Sequence, residues 1–342
     1  MSPAHNEPRA RVVTAFAALY IVWGSTYLAI RYAVETIPPF IMGGARFLLA
    51  GAMLYLWARR RGGDAPTRPQ WRAAAIVGVL LLVGGNGAVI WAEQQVPSGM
   101  VALIVAIVPL WMVLLDWSRP GGSAPRGAVF IGLALGLIGL ALLIGPDAIN
   151  RRGSSLKVGA ALVPVLGSFL WALGSIYGKY APRPASSQLA TGMQMLAGGL
   201  AFLVVGSIAG EWRGFAVRDV ATPSWIGFAY LVTFGSLVGF TAYIYLLRVT
   251  TPAKASTYAY VNPVVAVVLG WAVAGEPLTT RTLIAAAVIL GGVAIITLAG
   301  ERRRSDEPAA RGTTLASTHV PKTPGTEAAW RRSGRGRSRS GS

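Results

Sequence analysis

A series of long apolar runs constrains this chain before anything else does. Runs of mostly apolar residues recur near 11–33, 38–58, 72–92, 97–117, 126–145, 158–179, 188–209, 223–246, 254–274 and 281–299. Each is close to the ~20 residues with which an α-helix crosses hydrocarbon. In that solvent every backbone N–H and C=O must be satisfied within the segment, so helices are expected. The connections are short and rich in Gly, Pro and charge. Only 13% of residues are charged and 54% are hydrophobic, whereas a soluble domain carries roughly 25% charged residues. Arg9 and Arg11 precede the first run in the manner of a signal peptide. That run carries Trp23, Ser25 and Thr26 and continues to about Ala33, so it reads as an uncleaved first span. From about Ser305 the chain is Arg, Ser, Gly, Thr and Pro without apolar period, and 301–342 is expected to be a disordered basic tail.

Loop charges orient the spans. With the N-terminus inside, the inner segments carry Arg9 and Arg11; Arg59, Arg60, Arg61, Arg68 and Arg72; Arg119 and Arg126; Lys179 and Arg183; Arg248 and Lys254; and Arg302, Arg303 and Arg304. The outer segments carry Arg31; Arg151, Arg152 and Lys157; Arg213 and Arg218; and Arg281. The bias fits ten spans with both termini cytoplasmic, although the 151–157 loop runs against it. The net charge of +18 therefore reflects topology and the tail, and nucleic acid is not an expected partner.

The two halves match each other. Trp23 with Arg31-Tyr32 recurs as Trp171 with Lys179-Tyr180. Leu49-Ala50-Gly51 recurs as Leu196-Ala197-Gly198, Pro109 and Trp117 as Pro263 and Trp271, and Arg126 and Gly136 as Arg281 and Gly291. The order is kept and the offset is nearly constant, which indicates duplication. Five spans per copy is an odd number, so the second copy is expected to be inverted. The fold expected is an all-α membrane protein of ten transmembrane helices, with repeats at 11–145 and 158–300. Inverted repeats are a recurrent plan for secondary transporters.

Several motifs carry a family resemblance. They are Trp23-Gly-Ser-Thr-Tyr-Leu-Ala-Ile-Arg31, Ala45-Arg46-Phe47-Leu-Leu-Ala-Gly51, Pro109, Asn262-Pro263 and Gly275-Glu276-Pro277-Leu278. With these the chain resembles the drug/metabolite transporter superfamily, specifically the ten-span exporters with paired EamA domains, over residues 11–300. The resemblance implies an inner-membrane exporter of small polar metabolites, amino acids or drugs. It also implies a cavity between spans 1, 3, 4 and 6, 8, 9. Glu276 matches the motif in the second repeat only, because Gly122 occupies the aligned position of the first.

Arg46 is the sharpest single residue. Eight residues past Pro38, it lies roughly 12 Å along its helix and inside the bilayer. A charge there costs at least ~2.5–3.5 kcal/mol and is normally functional or paired. Its counterpart is Met193, so a cavity role and a structural role are both open. Asn86, among Gly84, Gly85 and Gly87, shares a helical face with Glu93 seven residues on. Glu93 reads either as a solvated loop residue or as a coupling carboxylate. Asp116, near the inner end of span 4, is the other coupling candidate. Tyr258 and Asn262 share a face of span 9, and Pro263 frees the carbonyl of Ala259 as Pro109 frees that of Val105. The two prolines are expected to mark hinges. Trp23 and Trp171, mid-span at equivalent positions, read as core aromatics or as platforms for a solute. Tyr27 lies in the Trp23 motif and joins the cavity candidates. Ala128, Gly132 and Gly136 form a stripe suited to close helix contact, within the protomer or in a homodimer.

Composition narrows the function. There is no Cys, and the two histidines, His5 and His319, lie in the tails. Thiol, zinc and histidine-triad chemistry in the membrane are thereby excluded, and no cofactor or metal is expected. A nucleotide-driven pump lacks its phosphate loop, because Gly178-Lys179-Tyr180 has neither the first Gly nor the Ser/Thr. A membrane enzyme and a scaffold remain as alternatives to a secondary transporter working by alternating access. The expected partners are a small-molecule solute, a proton and membrane lipid.

Overall fold

The computed structural model describes residues 9–62, 65–119, 127–144, 158–249, 258–292 and 294–295. The helices are α1 (Arg9–Ala33), α2 (Pro39–Arg60), α3 (Arg68–Ala92), α4 (Ser98–Trp117), α5 (Gly127–Ile144), α6 (Val158–Tyr180), α7 (Ser187–Ile208), α8 (Thr222–Leu246), α9 (Tyr258–Ala274) and α10 (Thr280–Gly292). Among the described residues seven of these, α1 to α4 and α6 to α8, are long and apolar enough to cross a membrane. The apolar parts of α5, α9 and α10 are shorter. Gly122, Arg126, the 151–157 loop, Lys254 and the tail lie outside the described residues.

Large apolar side chains point outward. Ile21, Leu49, Met53, Leu200 and Ile208 are exposed, as lipid-facing positions are when hydrocarbon is the solvent. Glycines instead mark where helices meet. α2 and α7 pack antiparallel with their backbones close together: Gly44 lies against Leu203 and Gly199, Gly51 against Met195 and Leu196, and Gly192 against Tyr55. Attraction between helices in lipid rests on such close van der Waals contact, because no hydrophobic drive separates apolar side chains from apolar tails.

The helices that build the centre cross between the halves. α6 runs antiparallel to α3, with Gly167 against Ala88, Gly84 against Leu170, and Gly174 against Leu80 and Leu81. α1 runs antiparallel to α8, with Gly227 against Ala29 and Ala33, and Gly235 against Thr26. α3 and α8 are each wound as π-helix in their middle, over Val79–Asn86 and Leu231–Phe240. The wider winding breaks the regular ladder where glycines gather, and such segments are frequent at functional sites.

The prolines act differently in α4 and α9. α4 is interrupted between Val105 and Val108, just before Pro109, and resumes as Val108–Trp117. α9 continues through Pro263 without interruption. The Asn262 amide, in the orientation its neighbours require, donates to the carbonyls of Tyr258 (3.3 Å) and Tyr20 (3.2 Å), tying α9 to α1. The stripe on α5 packs inside the protomer. Gly292 of α10 meets the carbonyl of Gly132 and the amide of Gly136, while Gly291, the repeat counterpart of Gly136, faces open space.

Candidate functional site

Two spaces lie in line along α1 and α3. The inner one is a cavity of about 70 Å³. All seven cavity candidates line it: Trp23 and Tyr27 from α1, Arg46 from α2, Asn86 from α3, Trp171 from α6, and Tyr258 and Asn262 from α9. Val105 and Val108 flank the break in α4, and Phe240 closes the π-segment of α8. The expected helices 1, 3, 4, 6, 8 and 9 all contribute, and Arg46 adds α2. The second space, a vestibule of about 730 Å³, begins one turn further along. Arg31 of α1 and Glu35 just after it, Glu93 and Gln94 at the end of α3, and Glu276 and Arg281 line it. The vestibule is the size of a pocket for a drug-sized molecule, roughly 300–1,000 Å³, and the inner cavity is far smaller.

Arg46 is fully enclosed, at 1% exposure. Its Nε donates to Ser236 Oγ at 2.8 Å, and its guanidinium lies 4.7 Å from the centre of the Phe47 ring. Ser236 belongs to the π-segment of α8, where Gly235 leaves room for the guanidinium. Arg46 Nη1 is buried without a hydrogen-bond partner. The charge is therefore positioned by the opposite half of the chain and left partly unsatisfied.

Aromatic rings enclose the rest of the cavity. Trp23 meets Trp171 edge to face at 5.9 Å, Phe240 at 5.2 Å and Tyr258 at 5.1 Å. Its indole Nε1 donates to the carbonyl of Gly235 at 3.2 Å, and its ring seats on Gly239. Trp171 mirrors this, with its ring seated on Gly85. Its indole N–H is buried beside the phenols of Tyr243 and Tyr258.

Glu93 is not a solvated loop residue. It is 4% exposed at the end of α3, and neither carboxylate oxygen has a hydrogen-bond partner. The next residue, Gln94, is exposed, so Glu93 is buried by its own side chain's inward direction at the end of α3. Asp116 lies elsewhere. It is half-exposed at the far end of α4, pairs with Arg119 at 2.9 Å and lines neither space.

Two carboxylates, Glu276 of the family motif and Glu211, cap helices distant in sequence. Glu276 is 7% exposed. Its Oε1 accepts from Ser98 N (2.9 Å), Ser98 Oγ (2.7 Å) and Arg31 Nη1 (3.0 Å), and its Oε2 accepts from Gly99 N (3.1 Å). It thus satisfies the free N–H groups at the start of α4, where the helix dipole favours a negative charge. Gly275 has a φ of +63°, and this reversal swings Glu276 back over α9. Glu211 does the same for α2, accepting from Phe40 N and Ile41 N at 2.9–3.1 Å. Pro97 and Pro38 just before these helices were the available signal, but no local pattern names a partner so distant in sequence.

Comparison with known proteins agrees with this architecture. The model of the EamA-like transporter family matches residues 11–145 and 158–298. The chain is 42% identical over 289 residues to the "Uncharacterized inner membrane transporter YedA" of Escherichia coli, covering 83% of this chain and 90% of that protein. It is 24% identical to the "Probable terminal-alkyne amino-acid exporter" of Streptantibioticus cattleyicolor, covering 88% and 99%. One solved crystal structure shares the fold with a TM-score of 0.60 at 20% identity, covering 84% of this chain and 98% of that one. With two copies of the family domain spanning most of its length, the chain belongs to the EamA-like transporter family.

Proposed function

We propose that this protein is a secondary transporter that exports a small polar metabolite, amino acid or drug across the inner membrane by alternating access. The carrying observation is the inner cavity, lined by the sequence candidates from both halves. On this reading α5, α9 and α10 cross as well, giving ten spans, with both termini in the cytoplasm and the vestibule outside. Three features support an inverted duplication. Equivalent helices α2 and α7 pack antiparallel. The third helix of each half carries the π-segment. Trp23 and Trp171 each dock on a glycine of the other half's π-segment. A duplicated chain with its copies inverted reaches two states related by a pseudo-two-fold axis when the halves exchange conformations.

The dimensions suit one of those states. The vestibule is roomy and the inner cavity small, which on this reading corresponds to an outward-facing state with the site collapsed after release. The break before Pro109 supplies one flexible point. Pro263, in an intact helix, supplies the other when the state changes. Glu93 is the coupling residue of this reading. An ionised carboxylate buried without a partner is costly, so it takes up a proton or meets a cationic group there. The test is uptake of radiolabelled amino acids and cationic drugs into everted vesicles, with and without a proton gradient. Gradient-dependent accumulation of at least one solute, lost on Arg46→Gln at equal protein abundance, is expected. No accumulation of any of them would remove the reading's main support.

A further inference from the structure

We infer that the end of α2 holds an anionic phospholipid, with the phosphodiester on Arg60 and Arg61 and an acyl chain along the outer face of the helix. The inference does not depend on what the cavity carries.

The face is continuous from chain to headgroup. Leu49, Met53, Leu56 and Arg60 follow one another at i, i+4, i+7 and i+11, so they lie on one side of α2. All four are exposed. The opposite side is taken up by α7, where Gly44 and Gly51 bring the two backbones together. From Leu49 to Arg60 the helix rises roughly 16 Å. One leaflet contributes about half of the ~30 Å of hydrocarbon, so this is the span of a single acyl chain. The stripe therefore ends in guanidinium where the chain ends in phosphate.

Trp57 marks that boundary. It is exposed, and the guanidinium of Arg61, just past the helix end, lies 4.5 Å from the centre of its ring. Indoles favour the level of the headgroups. The stack holds Arg61 at that depth, so less side-chain freedom is lost when it binds. A guanidinium also presents its donors as a planar fork that matches two phosphate oxygens.

Charge selects the headgroup. Residues 59–72 contain five arginines, Arg59, Arg60, Arg61, Arg68 and Arg72, and one acid, Asp64. Of the acids among the described residues only Asp116 shares this end of the molecule, and it pairs with Arg119. Glu35, Glu93, Glu211, Asp219 and Glu276 lie at the other end. A zwitterionic headgroup would bring a further cation into this surplus, whereas an anionic one balances it. Attraction of basic residues to anionic lipid is general. The apolar stripe and the Trp57 stack single out Arg60 and Arg61 within it.

The test is thermal unfolding of the purified full-length protein in detergent, titrated with phosphatidylglycerol and separately with phosphatidylcholine of the same chains. Phosphatidylglycerol is expected to raise the unfolding temperature saturably, and phosphatidylcholine is not. Each basic residue at an anionic surface is worth roughly fivefold in affinity, so Arg60→Gln with Arg61→Gln is expected to need about thirtyfold more phosphatidylglycerol. Arg68→Gln with Arg72→Gln removes the same charge from the same end and is expected to shift the titration by less than about fivefold. The inference is overturned if phosphatidylcholine stabilises equally, if neither lipid stabilises, or if the first double variant titrates like the parent. Equal shifts for the two double variants would assign the effect to the charge of the whole hairpin and overturn the site. Equal stabilisation by free glycerol phosphate would make it a site for a soluble phosphate and overturn the lipid.

Discussion

Trp23 and Trp171 stand edge to face, 5.9 Å between ring centres, and each rests on a glycine in a π-helical segment of the opposite half. The pair joins four helices, α1, α3, α6 and α8, at the point where the inner cavity lies. Any movement of one half against the other has to slide these rings over Gly85 and Gly239.

That arrangement makes the glycines sensitive. A methyl group at Gly85 would lie 2.7 Å from the Trp171 ring, and one at Gly239 would overlap the Trp23 indole. Gly85→Ala and Gly239→Ala are each expected to destabilise the protein by about 1–3 kcal/mol, the usual cost of overpacking. They are also expected to slow transport more than they lower abundance. Thermal unfolding in detergent and initial transport rates check this together. Unchanged values for both variants would mean that the rings yield freely.

Ser236 is expected to act through Arg46. Ser236→Ala leaves Arg46 Nε buried without its acceptor, a loss of roughly 1–3 kcal/mol in stability. Ser236→Thr retains the hydroxyl and is expected to recover much of it. A Ser236→Ala protein as stable as the parent would show that the guanidinium finds another acceptor at no cost.

The Glu276 carboxylate anchors three elements through four hydrogen bonds. Glu276→Ala is expected to cost about 3–5 kcal/mol, as breaking a buried charged network does. Glu276→Gln retains an acceptor for the α4 amides and is expected to cost less. Arg31 is 34% exposed, so its own share is small, about 1 kcal/mol or less in a double-mutant cycle with Glu276. Glu211→Ala, at the start of α2, is expected to cost about 0.5–2 kcal/mol as a lost helix cap. Equal effects of Glu276→Ala and Glu211→Ala would contradict the difference in burial and bonding between them.

Glu93→Gln is permanently neutral. It is expected to transport at a rate independent of the proton gradient, with binding of the solute retained. Everted vesicles with the gradient collapsed and restored measure this. A gradient response in Glu93→Gln equal to that of the parent would assign coupling elsewhere.

Much of the fold could be read from the sequence because lipid imposes one requirement on every crossing segment. The apolar runs follow from backbone satisfaction alone, and each of the ten regions holds a helix among the described residues. Arg46 stood out because a charge in hydrocarbon is expensive wherever its partner lies. Glu93 was ambiguous, since its burial depends on which way its side chain turns at the end of α3, which one segment cannot tell. The capping roles of Glu276 and Glu211 were not legible, because a carboxylate that caps a distant helix leaves no local periodicity. Pro109 and Pro263 looked alike in sequence, yet the backbone breaks only at the first. The Asn262 amide, with contacts to α1, accompanies the intact helix at the second. Ser236 carried no signal at all, because its role exists only once α2 and α8 are adjacent.

The central claim is that solute passes through the inner cavity and that the cavity opens to each side in turn. The chain contains no cysteine, so a single Cys can be placed without background. With Asn86→Cys, labelling by a membrane-impermeant thiol reagent is measured separately in right-side-out and everted vesicles, with transport followed in parallel. The account predicts labelling from both sides, protection by transported solute, and loss of transport in proportion to labelling. Labelling from one side only under all conditions, or full labelling with transport intact, would contradict it.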